Sequence, residues 1–255
     1  RYWKPKIEEI FYELPLLPFQ KPIFSDINSF GSDNKTPPKY MKILRYIKNF
    51  YYLFFSKFID GKIKIFNRHK RYEDYLNKQL EKTLDPNRIK KWQGKEWQTK
   101  VDGFRHLFKR NEEFLQNKKN SICLGARTGQ EVFVLRELGL DSIGIDLAEF
   151  PPYTIKGDIH NLEFEDEKFD LIFTNILDHS LYLEKFISEM ERVCVKNGII
   201  ILNIQENIPG DDYSENVINS PEPIIKMFKN SILIKNRKIK NIFDQMNREL
   251  VFKKN

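Results

Sequence analysis

The sequence predicts an α/β fold, a doubly wound, mostly parallel seven-stranded sheet behind a helical N-terminal extension. Three observations carry that prediction. Around residues 121 to 146, the apolar run Ile122-Cys123-Leu124 stops at Gly125 and Gly129, and a helical pattern follows (Val132, Leu135, Leu138). Gly139 ends the helix, and a second apolar run stops at Asp146, so the stretch reads as strand, tight turn, helix, strand. Later apolar runs, Phe169 to Asn175 and Gly198 to Ile204, are continuous instead of alternating, as strands buried on both faces of a parallel sheet are. Finally, two predicted strands end in carboxylates, Asp146 and Asp158, in a chain whose glycine turn already reads as a nucleotide-type site.

In chain order, residues 1–38 hold Pro5, Pro15, Pro18, Pro22, Pro37 and Pro38 among aromatics and turn formers, and read as an extended arm. Residues 39–117 read as a basic, helical extension. From Tyr40 to Ile59 apolar residues recur at helical spacing with Lys42, Arg45, Lys48 and Lys57 between them. Such a basic amphipathic stripe suits packing on its own domain or contact with an anionic surface. Lys62, Lys64, Arg68, His69, Lys70 and Arg71 form the densest positive patch, either a contact for nucleic acid or a membrane surface, or a solvated face. Residues 72 to 116 read as two or three helices, broken at Asp85-Pro86, with Trp92, Trp97, Val101, Phe104 and Leu107 as an apolar stripe.

Residues 118–255 read as the sheet domain. Tyr153 to Asp158 is its third strand, and only Leu147 to Pro152 separate it from the second, whereas a parallel crossover ordinarily carries a helix over a dozen or more residues. One sheet face is therefore expected to draw its cover from the aromatic N-terminal half. Phe169 to Asn175 is the fourth strand, Leu183 to Cys194 a helix, and Gly198 to Ile204 the fifth strand. Pro223 to Lys229 is helical, and Ser231 to Ile234 and Glu249 to Phe252 are the last two strands.

Gly125 stands 21 residues before Asp146, close to the roughly 20 that separate a glycine turn from a ribose-binding acid. Arg127 occupies the place of the glycine that lets a backbone approach a pyrophosphate, which disfavours NAD and FAD. The pattern over about residues 118 to 255 resembles class I S-adenosylmethionine-dependent methyltransferases. That resemblance implies S-adenosyl-L-methionine as cofactor. It puts Gly125, Ala126, Arg127 and Gly129 in the turn beneath the methionine part, and Asp146 on both ribose hydroxyls with Leu147 beside it. Asp158 would accept from the adenine amino group, Ile159 would pack on the ring, and Asn175 would border the transferred methyl. The resemblance also implies that the last two strands form an antiparallel pair at one sheet edge and that the N-terminal helices cover the cofactor. The chain departs from the family at Cys123, where an acid usually helps bind the cofactor's amino group. It departs again at Arg127, which either reaches the cofactor carboxylate as a bidentate donor or lies on the surface.

Methyl transfer from a sulfonium is an in-line displacement, so positioning does most of the work and a base is needed only for a hydroxyl or similar acceptor. Asp178 and His179, just after Asn175, are the candidate catalytic pair, His179 as base and Asp178 as its orienting partner or as a helix cap; His160 is a weaker candidate base. Pro151-Pro152-Tyr153 follows the second strand and not the fourth, so it is not the motif of amino-methylating nucleic-acid enzymes, and no Cys follows the fourth strand. The acceptor is therefore not legible. The alternative function is a non-catalytic module of the same fold whose basic N-terminal half docks an acidic partner.

Composition bounds these readings. Residues 1–110 carry 25 Lys and Arg against 12 Asp and Glu, and the remainder 18 against 24, which splits the net +7 into +13 and −6 and favours an anionic partner for the first part. The 21 Phe and 11 Tyr supply apolar area that disordered chains lack. Cys123 and Cys194 sit in apolar patterns where a buried thiol is ordinary, so a reducing, cytoplasmic compartment is expected, and no metal is called for. The longest uncharged aromatic run, Asn49 to Ser56, is far short of the ~20 residues that span a bilayer. The sequence opens on Arg1 without a Met, as an excised or processed fragment would, so the absence of a targeting signal says little about the whole gene product.

Overall fold

A computed structural model describes residues 57–66, 68–240 and 244–255. The expected arm over residues 1–38 and most of the helix expected from Tyr40 lie outside these residues. Where that helix was expected to end, β1 (Lys57–Ile59) instead turns into β2 (Ile63–Ile65). Asp60 and Gly61 both have positive φ (50° and 66°), and Lys62 N–H bonds Ile59 O at 2.9 Å. Asp-Gly between apolar residues is a strong short-range hairpin signal, and it overrides the helical spacing. β2 also pairs antiparallel with β8 (Asn216–Ile218), so the extension is not wholly helical and shares a three-stranded sheet with the later chain.

Three helices follow: α1 (Tyr72–Leu84), α2 (Pro86–Gln93) and α3 (Trp97–Arg110), then a single turn, α4 (Glu112–Leu115). Asp85 makes the break between α1 and α2, its carboxylate accepting from Asn87 and Arg88 N–H while Pro86 sits at the first helical position. The sheet domain runs β3 (Asn120–Leu124), α5 (Gln130–Glu137), β4 (Asp141–Asp146), β5 (Thr154–Lys156) and β6 (Phe169–Thr174). It continues through a 3₁₀ turn at Leu177–His179, then α6 (Leu183–Val193), β7 (Cys194–Ile204), β8, α7 (Glu222–Met227), β9 (Ser231–Lys238) and β10 (Arg248–Lys254). The order across the sheet is β5-β4-β3-β6-β7-β10-β9. The first five strands are parallel, and β10 pairs antiparallel with both β7 and β9, so the seven-stranded class I methyltransferase fold and its antiparallel edge pair are both present.

The continuous apolar strands bury both faces. Ile122, Leu124, Ile172, Ile200 and Leu202 pack with Phe186, Ile187 and Met190 of α6 on one side. The alternate residues Cys123, Leu171, Phe173, Ile199 and Ile201 pack with Val101, Phe104, Leu107 and Phe108 of α3 and Val132 and Leu135 of α5 on the other. β4 and β5 are joined without a helix, and Tyr153 in that short connection meets Trp97 of α3 (ring centroids 5.8 Å) and Phe133 of α5 (5.9 Å). The sheet face left bare by the missing crossover helix thus takes its cover from the N-terminal half.

A fragment beginning at residue 111 should accordingly be insoluble or molten. It would lose Val101, Phe104, Leu107 and Phe108, each at most 3% exposed. At about 1.5–3 kcal/mol per buried side chain, that is on the order of the whole stability of a domain. A soluble fragment with a cooperative melt would contradict this.

Candidate active site

The glycine turn after β3 is set by backbone needs. Gly125 has φ +78°, and a Cβ there would stand 2.5 Å from the Ile176 side chain; Gly129 has φ +81°, with Tyr153 Cβ 2.3 Å from where a side chain would begin. Arg127 also has positive φ (49°). Its N–H bonds Asp146 Oδ2 at 2.9 Å, Leu147 N–H bonds Oδ1 at 2.8 Å, and Thr83 of α1 donates to Oδ1 at 3.4 Å. Asp146 is thereby aimed across the end of β4, and burial raises its pKa against these bonds.

Asp158, two residues beyond β5, accepts from the Tyr72 hydroxyl at 2.6 Å and from His160 N–H at 2.8 Å. Burial alone would push its carboxyl up, but the hydrogen bonds from His160 and Tyr72 bring it down to about 2. His160 is fully buried: Nε2 meets Ser180 Oγ at 2.9 Å and Tyr182 N–H at 3.2 Å, and Nδ1 meets the Tyr72 hydroxyl at 2.8 Å. Nε2 accepts the Tyr182 N–H, which assigns the ring proton to Nδ1, 3.3 Å from Asp158 Oδ1, so His160 serves to orient Asp158.

Two adjoining cavities result. The first, about 50 Å³, is lined by Gly125, Asp146, Leu147, Asp158 and Ile159, and α1 closes it with Tyr75, Gln79, Lys82 and Thr83. The second, about 280 Å³, lies at the first turn of α5 and is lined by Ala126, Glu131, Lys100, Trp92, Asn175 and Gln205, among others. Gly125, Arg127 and His179 line both. Of the site residues singled out in the sequence, Gly129, His160 and Asp178 line neither.

His179 has Nδ1 3.0 Å from Tyr213 O and Nε2 2.9 Å from Lys82 Nζ, so the ring donates to the carbonyl and accepts from the lysine. Asp178 Oδ2 is 3.5 Å from Nε2 and accepts from Ser214 Oγ at 3.3 Å. Burial lowers the His179 pKa, against Asp178 and with help from Lys82. Burial also takes Lys82 down to about 7, with Arg127 adding repulsion.

The site residues that sequence reading missed lie mainly on α1. Tyr72, Tyr75, Gln79, Lys82 and Thr83 fall within one helical stripe, which spacing alone could have flagged as a buried polar face. Lys100 and Glu131 were missed as well. In the basic cluster, Arg68 donates to Asp211 O and Asp212 O, His69 Nε2 meets Glu215 Oε1 at 2.9 Å, and Arg71 pairs with Asp74 at 3.0 Å. Part of its charge is therefore spent within the chain. Among the described residues no helix is long and apolar enough to cross a membrane, and no group of potential ligands could hold a metal ion.

Residues 122–202 match a family model described as "Methyltransferase domain". Among solved structures, the chain is similar to 1,6-didemethyltoxoflavin-N1-methyltransferase of Burkholderia thailandensis, solved with 1,6-didemethyltoxoflavin and S-adenosylhomocysteine. The TM-score is 0.57 and identity 13%, covering 78% of this chain and 98% of that one. It is also similar to the PH0226 protein of Pyrococcus horikoshii OT3, with TM-score 0.50 and 17% identity over 64% of this chain and 92% of that one. No curated protein matches by sequence.

Proposed function

We propose that this chain, which carries a methyltransferase domain with the class I fold, is an S-adenosylmethionine-dependent methyltransferase acting on a hydroxyl or similar nucleophile. The observation that carries this reading is the cavity at the carboxyl ends of β4 and β5, where Asp146 and Asp158 stand as acceptors beside Gly125 with Leu147 and Ile159 as apolar walls. This donor set fits an adenosine: acids for ribose hydroxyls and an exocyclic amine, apolar side chains for the ring. In its present closure α1 must yield for a nucleoside to enter. When bound, the cofactor supplies an electrophilic methyl carbon on a sulfonium.

Asp146, held by two backbone N–H groups, orients the ribose; Asp158, held by Tyr72 and His160, orients the base. Asn175 and His179 border the place where an acceptor would meet the methyl. His179 Nε2 is the site we assign to receive the acceptor's proton. Lys82, which titrates at about 7, donates to that nitrogen in the closed site, so it must withdraw with α1 before Nε2 can take the proton; Asp178 then balances the imidazolium that forms.

Titration calorimetry of the whole chain with S-adenosylhomocysteine should show binding in the micromolar range or tighter. A screen for tritiated methyl transfer to small molecules, glycans, lipids and RNA would then identify the acceptor. Folded protein with no heat at high ligand concentration would remove the cofactor reading, and binding without any turnover would favour the scaffold reading.

A further inference from the structure

Lys91, Lys100 and Arg127 face Glu96, Glu131 and Asp244 around the second cavity, but two of these charges, Glu131 and Arg127, form no ion pair among the described residues. Glu131, in the first turn of α5, is 5% exposed and lines it, and among the described residues its carboxylate has no ion-pair partner. Arg127 lines it too, its guanidinium 5.2 Å from the Trp92 ring and likewise without a carboxylate partner. Lys100 is 3.6 Å from Glu96, whose nearer partner is Lys91 at 2.8 Å. A buried carboxylate and a guanidinium left unpaired in one cavity are costly alone and complementary to a ligand bearing both signs. The cavity shares Gly125, Arg127 and His179 with the one formed by Asp146 and Asp158, so one elongated ligand reaches both.

We propose that this cavity seats the zwitterionic α-amino-acid end of the cofactor, with Glu131 accepting from the ammonium and Arg127 and Lys100 donating to the carboxylate. The assignment rests on the cofactor reading above and supplies what the glycine-turn motif lacks. Cys123, standing where an acid is usual, is fully buried, and burial, with the charge of nearby Glu131, pushes its thiol well above the ordinary value, so it offers no anion. The carboxylate is supplied one element later, from the helix that the turn starts. Burial raises Glu131 itself to about 7, and Lys100 is lowered to about 8 by burial with Arg127 adding to it, as expected of groups awaiting opposite charge.

Three ligands test this by calorimetry on the whole chain. S-adenosylhomocysteine has both charges, its decarboxylated analogue keeps only the amine, and 5′-methylthioadenosine has neither. Glu131→Gln should weaken the first two by roughly 30-fold and leave methylthioadenosine within twofold; Arg127→Met should weaken only the first, by a similar factor. Melting curves establish that each variant is folded, and the Arg127 variant still decides the matter should the Glu131 variant fail to fold. Wild-type binding with Glu131→Gln affecting all three ligands alike, or none, overturns the proposal alone. Wild-type protein that binds none of the three overturns it together with the cofactor reading.

Discussion

Asp146→Asn should weaken S-adenosylhomocysteine binding by about 100-fold or more. Asp146 Oδ2 accepts only the Arg127 N–H, which leaves a lone pair there for a ribose hydroxyl, and Oδ1 accepts from Leu147 N–H and, at 3.4 Å, from Thr83, a long bond that a second ribose hydroxyl would replace. Hydrogen bonds to a charged acceptor contribute about 1.5–3 kcal/mol each, so losing the charge and one acceptor removes about 3 kcal/mol of binding or more. The amide must also turn its NH₂ toward one of the two N–H donors. That costs the fold about 1–2 kcal/mol, offset in part because burial disfavours the native carboxylate. At about 2–4 °C per kcal/mol for a chain of this size, the variant remains folded at 20 °C, where calorimetry reads affinity alone. Binding within threefold of wild type would show that Asp146 does not hold the ribose.

Sheet and helix positions were legible because their signals are strong and local. Ile122 to Leu124 and Gly198 to Ile204 could be read as doubly buried strands because no alternation interrupts them, and the missing crossover helix between Asp146 and Tyr153 followed from counting residues. The β1–β2 hairpin was hidden by a helical spacing that runs up to Ile59, although Asp60-Gly61 names the turn that ends it. β8 was illegible for another reason: its three residues form a strand only because β2, some 150 positions earlier, pairs with them.

The site was legible on its sheet side and not on its helical side. Asp146 and Asp158 announce themselves by ending strands, whereas Lys82, Lys100 and Glu131 look in sequence like ordinary charges on helix surfaces. What makes them unusual is burial, a property of packing that periodicity does not report when the buried face is itself polar.

Gly129 carries a packing demand that its place in the glycine turn does not spell out. Gly129→Ala should lower the melting temperature by about 10 °C. Its φ of +81° costs an alanine about 1–2 kcal/mol, and the added methyl begins 2.3 Å from Tyr153 Cβ. Tyr153 cannot step aside cheaply, because its carbonyl accepts from Gly144 N–H at 2.9 Å and its ring is wedged against Trp97 and Phe133. Overpacking of this kind adds about 1–3 kcal/mol, for a total near 4 kcal/mol. Gly139 at the other end of α5 provides the control: its φ is +88°, but no atom lies within 4 Å of where a Cβ would be. Gly139→Ala should therefore carry only the backbone cost and melt about 3–5 °C below wild type. The gap between the two variants measures the Tyr153 contact. Equal melting temperatures would mean that Gly129 is required for its left-handed backbone alone, and that the connection from β4 to β5 tolerates displacement.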